Sequence, residues 1–373
     1  MARPRFSMTV RLRSGEQLSY ADVGDKSGFP VLWFAGPNSN RLLMAVYEDM
    51  ALELGLRLVC FDRPGRGGST PLRYPKMWEF RSWPVTYVDE LTDILGIERF
   101  FVIGHSLGAT YALACYDQLK HKIIGSLRLM ATWAPSNLPC MPVSYALQRS
   151  LPTRMLRGMY SIGYSSTVTT MTTAQLPTQM GQIGVREQVN ANDTFVYEVL
   201  KRVAQDHTND AFKAFELDWL LALEINKKFG FDHRSLQCSI KCWHGMDDTV
   251  APLGAAMWMQ REMKHFLLYA VEGATHNILL DFAIVKAIFS DIAKEGTLVL
   301  TPAKIASSPE LAVTPSLSST ASAATPSPSS DAQAAADKAA ADKAAADKAA
   351  AAPTTPTSNP DLSGAAPAQA SAQ

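Results

Sequence analysis

Gly104-His105-Ser106-Leu107-Gly108 sets a hydroxyl between two glycines, at a point where local preference changes from strand to helix. Residues 99–103 (Arg-Phe-Phe-Val-Ile) are β-branched and aromatic, as in a buried strand. Residues 109–119 favour helix. The flanking glycines permit a turn tight enough to push Ser106 into the open at a helix N-terminus. Unpaired backbone N–H groups there would meet a developing negative charge. G-x-S-x-G spacing therefore predicts a nucleophilic serine, provided that a base and an acid exist elsewhere. Without them, the same residues make a helix cap beside a tight turn.

Two later stretches offer those groups. Trp243-His244-Gly245-Met246-Asp247-Asp248 follows a predicted strand. An acid there could accept a histidine N–H and hold the imidazole in one tautomer. Spacing from Gly245 favours Asp248, with Asp247 as the alternative, and a capping role for the pair competes with both. Glu272-Gly273-Ala274-Thr275-His276 follows the last predicted strand, where a histidine can reach Ser106 and take its proton. His105, His121, His207, His233, His244 and His265 lack such a position and read as ordinary surface or core side chains. The chain order Ser106, Asp248, His276 is the one expected for this kind of turn.

The elements that must carry these residues alternate. Residues 8–25 read as a hairpin. Strands are expected over 31–35, 57–61, 99–103, 125–131, 239–243 and 266–271, with helices over 41–53, 85–95, 106–119, 251–263 and 277–294. This alternation predicts βα units and a mainly parallel sheet, an α/β fold. It is interrupted over 135–234, a stretch rich in Met, Tyr and Leu with helical spacing at Phe212, Phe215, Trp219 and Leu223. An insertion of this length, where strands end in loops, reads as a helical cap over a pocket. The expected core is thus 5–134 with 235–298.

Composition narrows the function classes. With 35 basic and 35 acidic residues, the chain has no net charge to attract nucleic acid or an anionic membrane. No apolar run is long enough to span a membrane, and Met1 to Ser7 lacks the apolar core of a secretory signal. Neither stable membrane insertion nor export is expected. Cys60, Cys115, Cys140, Cys238 and Cys242 form no C-x-x-C pair, which fits free thiols in a reducing, cytoplasmic setting. No metal-ligand spacing appears, so neither metal nor organic cofactor is expected. Residues 299–373 are dominated by Ala, Ser, Pro and Thr and include Ala-Ala-Ala-Asp-Lys three times over 334–348. Too few large apolar side chains follow to form a core, so a disordered spacer is expected.

Taken together, the elbow, the acid loop, the histidine loop and their order resemble the α/β-hydrolase superfamily over about residues 8–294. Asp62-Arg63-Pro64-Gly65-Arg66-Gly67-Gly68-Ser69 is similar to that family's D-x-x-G-x-G-x-S loop. Phe34-Ala35-Gly36-Pro37-Asn38 stands where the family has H-G-G-P-G, with Phe34, Ala35 and Asn38 departing from it. Aligned so, the resemblance implies that Gly36 and Leu107 donate backbone N–H groups to an oxyanion. A one-residue shift would instead put Pro37, which has no N–H, at the donor position. The implied activity is hydrolysis of an ester or similar acyl bond in a small apolar substrate, through an acyl-enzyme. Carbon–carbon bond hydrolases, aminopeptidases of the proline type and acyltransferases share the same triad. A non-catalytic ligand receptor on the same fold is a further alternative, and an aspartate-nucleophile enzyme is disfavoured by serine at 106.

Overall fold

The computed structural model describes residues 4–37, 39–71, 80–162, 194–206, 211–225 and 228–300. The expected spacer from 301 onward, and Asn38 in the loop after the first parallel strand, lie outside them.

Among the described residues, eight strands form one sheet: β1 (Met8–Arg11), β2 (Gln17–Gly24), β3 (Phe29–Phe34), β4 (Leu56–Phe61), β5 (Phe100–His105), β6 (Ile123–Met130), β7 (Ile240–Gly245) and β8 (Phe266–Val271). Their order is β1-β2-β4-β3-β5-β6-β7-β8. Only β2 pairs antiparallel, with β1 and β4; every other pairing is parallel. The expected mostly parallel sheet is present, with its leading hairpin as the antiparallel edge.

Parallel strands are covered on both faces, and side-chain period two divides their residues between two cores. Leu32, Phe34, Phe100 and Val102 face one core, with Phe61, Trp83 and Tyr111. Val31, Trp33, Phe101 and Ile103 face the other, with Tyr47 and Phe289. In that second core Trp33 stacks on Tyr47 at 4.9 Å, and Phe289 meets Trp33 edge-on at 6.2 Å.

The helices are α1 (Glu48–Glu53), α2 (Glu90–Ile94), α3 (Leu107–Leu119), α4 (Val143–Ser150), α5 (residues 153–162), α6 (Thr194–Gln205), α7 (Ala211–Ala222), α8 (Leu253–Glu262) and α9 (Phe282–Leu300). Three expected helices start differently. The one over 41–53 divides into a 3-10 segment, Arg41–Val46, and α1, with Asn40 accepting from the Leu42 N–H at the start. The one over 85–95 begins as a π-helical segment, Pro84–Asp89, before α2. The last begins at Phe282, after the 3-10 turn Ile278–Leu280, because the Asp281 carboxylate accepts from the N–H groups of Ala283 and Ile284. It continues to Leu300, two residues past the expected end of the core.

Helices α4 to α7 lie between β6 and β7. Trp219 of α7 packs edge-on to Trp133, just after β6, at 5.8 Å, and stacks on Tyr160 at 6.2 Å. The indole N–H of Trp133 donates to the Ala222 carbonyl at 2.9 Å.

His233, on the 3-10 turn leading into β7, is buried among Phe229, Phe231 and Trp258. Burial pushes its pKa down to about 4, with nearby Asp232 pulling the other way. The unfolded chain therefore takes up this proton first as pH falls below about 6.5. Stability from this group is complete above that pH and drains away between about 6.5 and 4. His233→Phe should flatten this loss, by about 2 kcal/mol at pH 5 relative to neutral pH. Urea unfolding of both proteins at pH 7 and pH 5 measures it, and equal losses would contradict it.

Candidate active site

Sheet register determines which loops meet. Phe34 of β3 lies abreast of Gly104 of β5. Two residues further along each parallel chain, Gly36 and Ser106 are neighbours. A Cβ built on Gly36 would stand 3.2 Å from that of Ser106 and 3.0 Å from Nδ1 of His105. From β3 the chain steps to β4 on one side, then returns over β3 to β5 on the other. Crevices at such reversals, outside the carboxyl ends of the strands, are where open α/β sheets bind ligands.

Ser106 occupies a conformation that L-residues avoid, with φ +56° and ψ −129°. Its N–H donates to the Met130 carbonyl at 3.0 Å, and its carbonyl accepts from Ala109 at 3.0 Å. The residue is thus the last of the β5–β6 ladder and the first acceptor of α3. Both glycines of the motif are needed for close approach. A Cβ on Gly104 would come within 2.8 Å of the Ala109 Cα, and one on Gly108 would run into the Phe34 carbonyl.

His276 follows β8, and Asp248 follows β7. The imidazole Nδ1 lies 2.8 Å from Asp248 Oδ2, and Nε2 lies 2.8 Å from Ser106 Oγ. A carboxylate only accepts, so Nδ1 carries the proton and the Nε2 lone pair faces the serine hydroxyl. The structure thus brings Ser106, Asp248 and His276 together. Asp247 is exposed, its backbone N–H donating to Ala274.

Asp248 is buried, which by itself would raise its pKa. Hydrogen bonding to His244 and His276, the attraction of His276 and a backbone bond from Ala251 outweigh burial and hold it well below the usual carboxylate range. Its Oδ1 accepts from the N–H groups of Val250 and Ala251, both at 2.9 Å. Asp248 is therefore charged at neutral pH, and both of its oxygens accept hydrogen bonds.

His105 is also buried, and burial followed by repulsion from His276 lowers its pKa to about 3. As a neutral ring it donates from Nε2 to the backbone carbonyl of His276 at 3.0 Å. This second imidazole holds the loop of the first. Nothing local in the sequence marks His105, because the carbonyl that it meets lies 171 residues away.

Leu107 is the first residue of α3, and Gly36 flanks the serine from the other side. Sequence reading missed what holds Gly36: the Arg63 guanidinium donates to the carbonyls of Ala35 and Gly36. Asp62, in the same glycine-rich loop, anchors that loop by accepting from the Arg41 N–H at 2.8 Å and from Ser19 Oγ at 2.7 Å. Two arginines so near the motif are a visible signal, but their carboxylate partner, Asp218, is too distant in sequence to be paired by eye.

Gly108→Ala should cost about 1–3 kcal/mol, because α3 must move off β3 to admit the methyl. Gly158→Ala, in α5 where a Cβ meets nothing within 4 Å, should instead stabilise by up to about 1 kcal/mol. Chemical denaturation ranks the two, and a harmless Gly108→Ala would contradict the close approach.

Known proteins are similar to parts of this chain. A proline iminopeptidase of Lactobacillus helveticus is 28% identical over 127 residues, which is 33% of this chain and 43% of that protein. A 2-hydroxy-6-oxononadienedioate/2-hydroxy-6-oxononatrienedioate hydrolase of Pseudomonas putida is 28% identical over 162 residues, 41% of this chain and 53% of the relative. The chain therefore spans only about half the length of the curated relatives that it matches. Among solved structures, an esterase from Exiguobacterium antarcticum superimposes with a TM-score of 0.57 at 15% identity, covering 77% of this chain and 99% of that one. A meta-cleavage product hydrolase from Pseudomonas fluorescens gives 0.53 at 14% identity, covering 78% and 97%. At such identities the likeness is one of fold. A family model described as "Alpha/beta hydrolase family" matches residues 32–285. The sheet, the elbow and this match agree, and the chain belongs to the alpha/beta hydrolase family.

Proposed function

We propose that the protein is a serine hydrolase that cleaves an ester or similar acyl bond of a small, apolar substrate. The observation that carries this reading is the continuous hydrogen-bonded line from Asp248 through His276 to Ser106 Oγ, at 2.8 Å for each step. His276 Nε2 takes the hydroxyl proton as Ser106 Oγ bonds to the substrate carbonyl carbon. The carbonyl π-electrons move onto oxygen, and the Gly36 and Leu107 N–H groups receive that oxyanion. Collapse breaks the bond to the leaving alcohol, which leaves with the proton held by His276. Water then gives a proton to His276, adds to the acyl-enzyme, and frees the acid and the serine. Asp248 stays ionised throughout and stabilises the imidazolium.

An alcohol leaving group needs one proton, and His276, hydrogen-bonded to Ser106 Oγ, supplies it. His105, neutral and committed to a carbonyl, supplies no second acid. Helices α4 to α7 serve in this reading as a cap. Tyr145 of α4 donates to the Val250 carbonyl at 2.9 Å, two residues from Asp248, which ties the cap to the loop that carries the acid. Phe215, Trp219 and Tyr160 give the cap an aromatic interior suited to an apolar group.

Ser106→Ala should abolish hydrolysis of p-nitrophenyl butyrate. Asp248→Asn should lower kcat by about 10⁴-fold, while Asp247→Asn stays within a few-fold of the parent. Steady-state kinetics of the three variants test the assignment. The reverse ranking of the two aspartates, or full activity without Ser106, would overturn it.

A further inference from the structure

Arg63 is buried behind the loop that carries Gly36, and its polar atoms face two kinds of partner. Nη1 donates to the Ala35 carbonyl, and Nη2 to the Gly36 carbonyl at 3.0 Å. Nε and Nη2 also grip Asp218 as a fork, at 3.1 and 2.8 Å. Asp218 is buried on α7 and further accepts from Tyr111 Oη at 3.1 Å and from Arg66 Nη2 at 3.2 Å. The guanidinium lies 5.0 Å from the Tyr111 ring centroid, which leaves it little freedom.

Two consecutive carbonyls turned to one cation define the orientation of the peptides between them. In a trans peptide, C=O and N–H point in opposite directions. Holding the Ala35 oxygen on Arg63 therefore holds the Gly36 N–H on the other side of that peptide plane. The next peptide offers no substitute, because Pro37 has no N–H. Were the Ala35–Gly36 peptide to flip, its carbonyl oxygen would stand where an oxyanion needs a donor.

We propose that Arg63 is a positioning residue that keeps the Gly36 N–H presented to the oxyanion, and that Asp218 positions Arg63 in turn. This role rests on the reading of Ser106 as the nucleophile. It makes one helix of the insertion a structural part of the oxyanion hole. Lysine cannot replace the arginine, since one ammonium cannot meet two carbonyls and a bidentate carboxylate together.

The test is the second-order rate at which a fluorophosphonate labels Ser106, a reaction that uses the hole but needs no knowledge of the natural substrate. Arg63→Ala should slow labelling by about 100-fold, with the pH dependence imposed by His276 unchanged. Low, non-denaturing guanidinium should restore much of the rate. Asp218→Asn, which keeps shape and loses charge, should slow labelling less, by about tenfold, and stands in should Arg63→Ala fail to fold. A folded variant labelling at the parent rate would overturn the proposal. So would a loss that shifts the pH profile and does not respond to guanidinium, since that marks general collapse. A parent protein that does not label would instead overturn the reading of Ser106, and this role with it.

Discussion

The backbone at Ser106 is the constraint on which the site depends. A non-glycine residue at φ +56° costs on the order of 1–3 kcal/mol, and it persists only where its surroundings leave no other path. Those surroundings are β5, buried along its whole length, and α3, whose first nine residues are all buried. Gly104 and Gly108 let strand, turn and helix approach more closely than any side chain allows. The strain leaves the hydroxyl facing His276 while the N-terminus of α3 begins one residue later. Relaxing the turn would separate the Ser106 hydroxyl from His276 and from the Leu107 N–H at once.

The remaining groups are positioned by hydrogen bonds from the interior outward. Asp248 is a charge in a place where charge is expensive, and its two backbone donors and two imidazoles compensate for lost water. His276 is held at both ends, by Asp248 through the ring and by His105 through the backbone carbonyl. Arg63 does the same for the opposite wall, by way of the Ala35 and Gly36 carbonyls. Ser106, His276 and Asp248 thus come from three loops, yet each is fastened to the sheet that aligns them.

Much of this was legible in the sequence because it is local. The G-x-S-x-G motif marks its own turn, and strand periodicity on either side marks the sheet that holds it. Spacing favoured Asp248 over Asp247 without excluding the second, and the structure buries the first and exposes the second. What sequence could not reveal is long-range partnership. His105 meets the carbonyl of a residue 171 positions away, and Arg63 meets Asp218 across 155. Sequence also did not reveal the kind of helical turn at Arg41 and Pro84, which begin as 3-10 and π segments, or that the last helix starts at Phe282 instead of Asn277.

In the proposed function, the geometry around Ser106 performs covalent catalysis. Acid quench of the protein during turnover of p-nitrophenyl butyrate, followed by peptide mass spectrometry, tests it most directly. A butyryl group is expected on the peptide containing Ser106, and none in Ser106→Ala. Ester hydrolysis with no acylated peptide, or with the butyryl group on another residue, would contradict it.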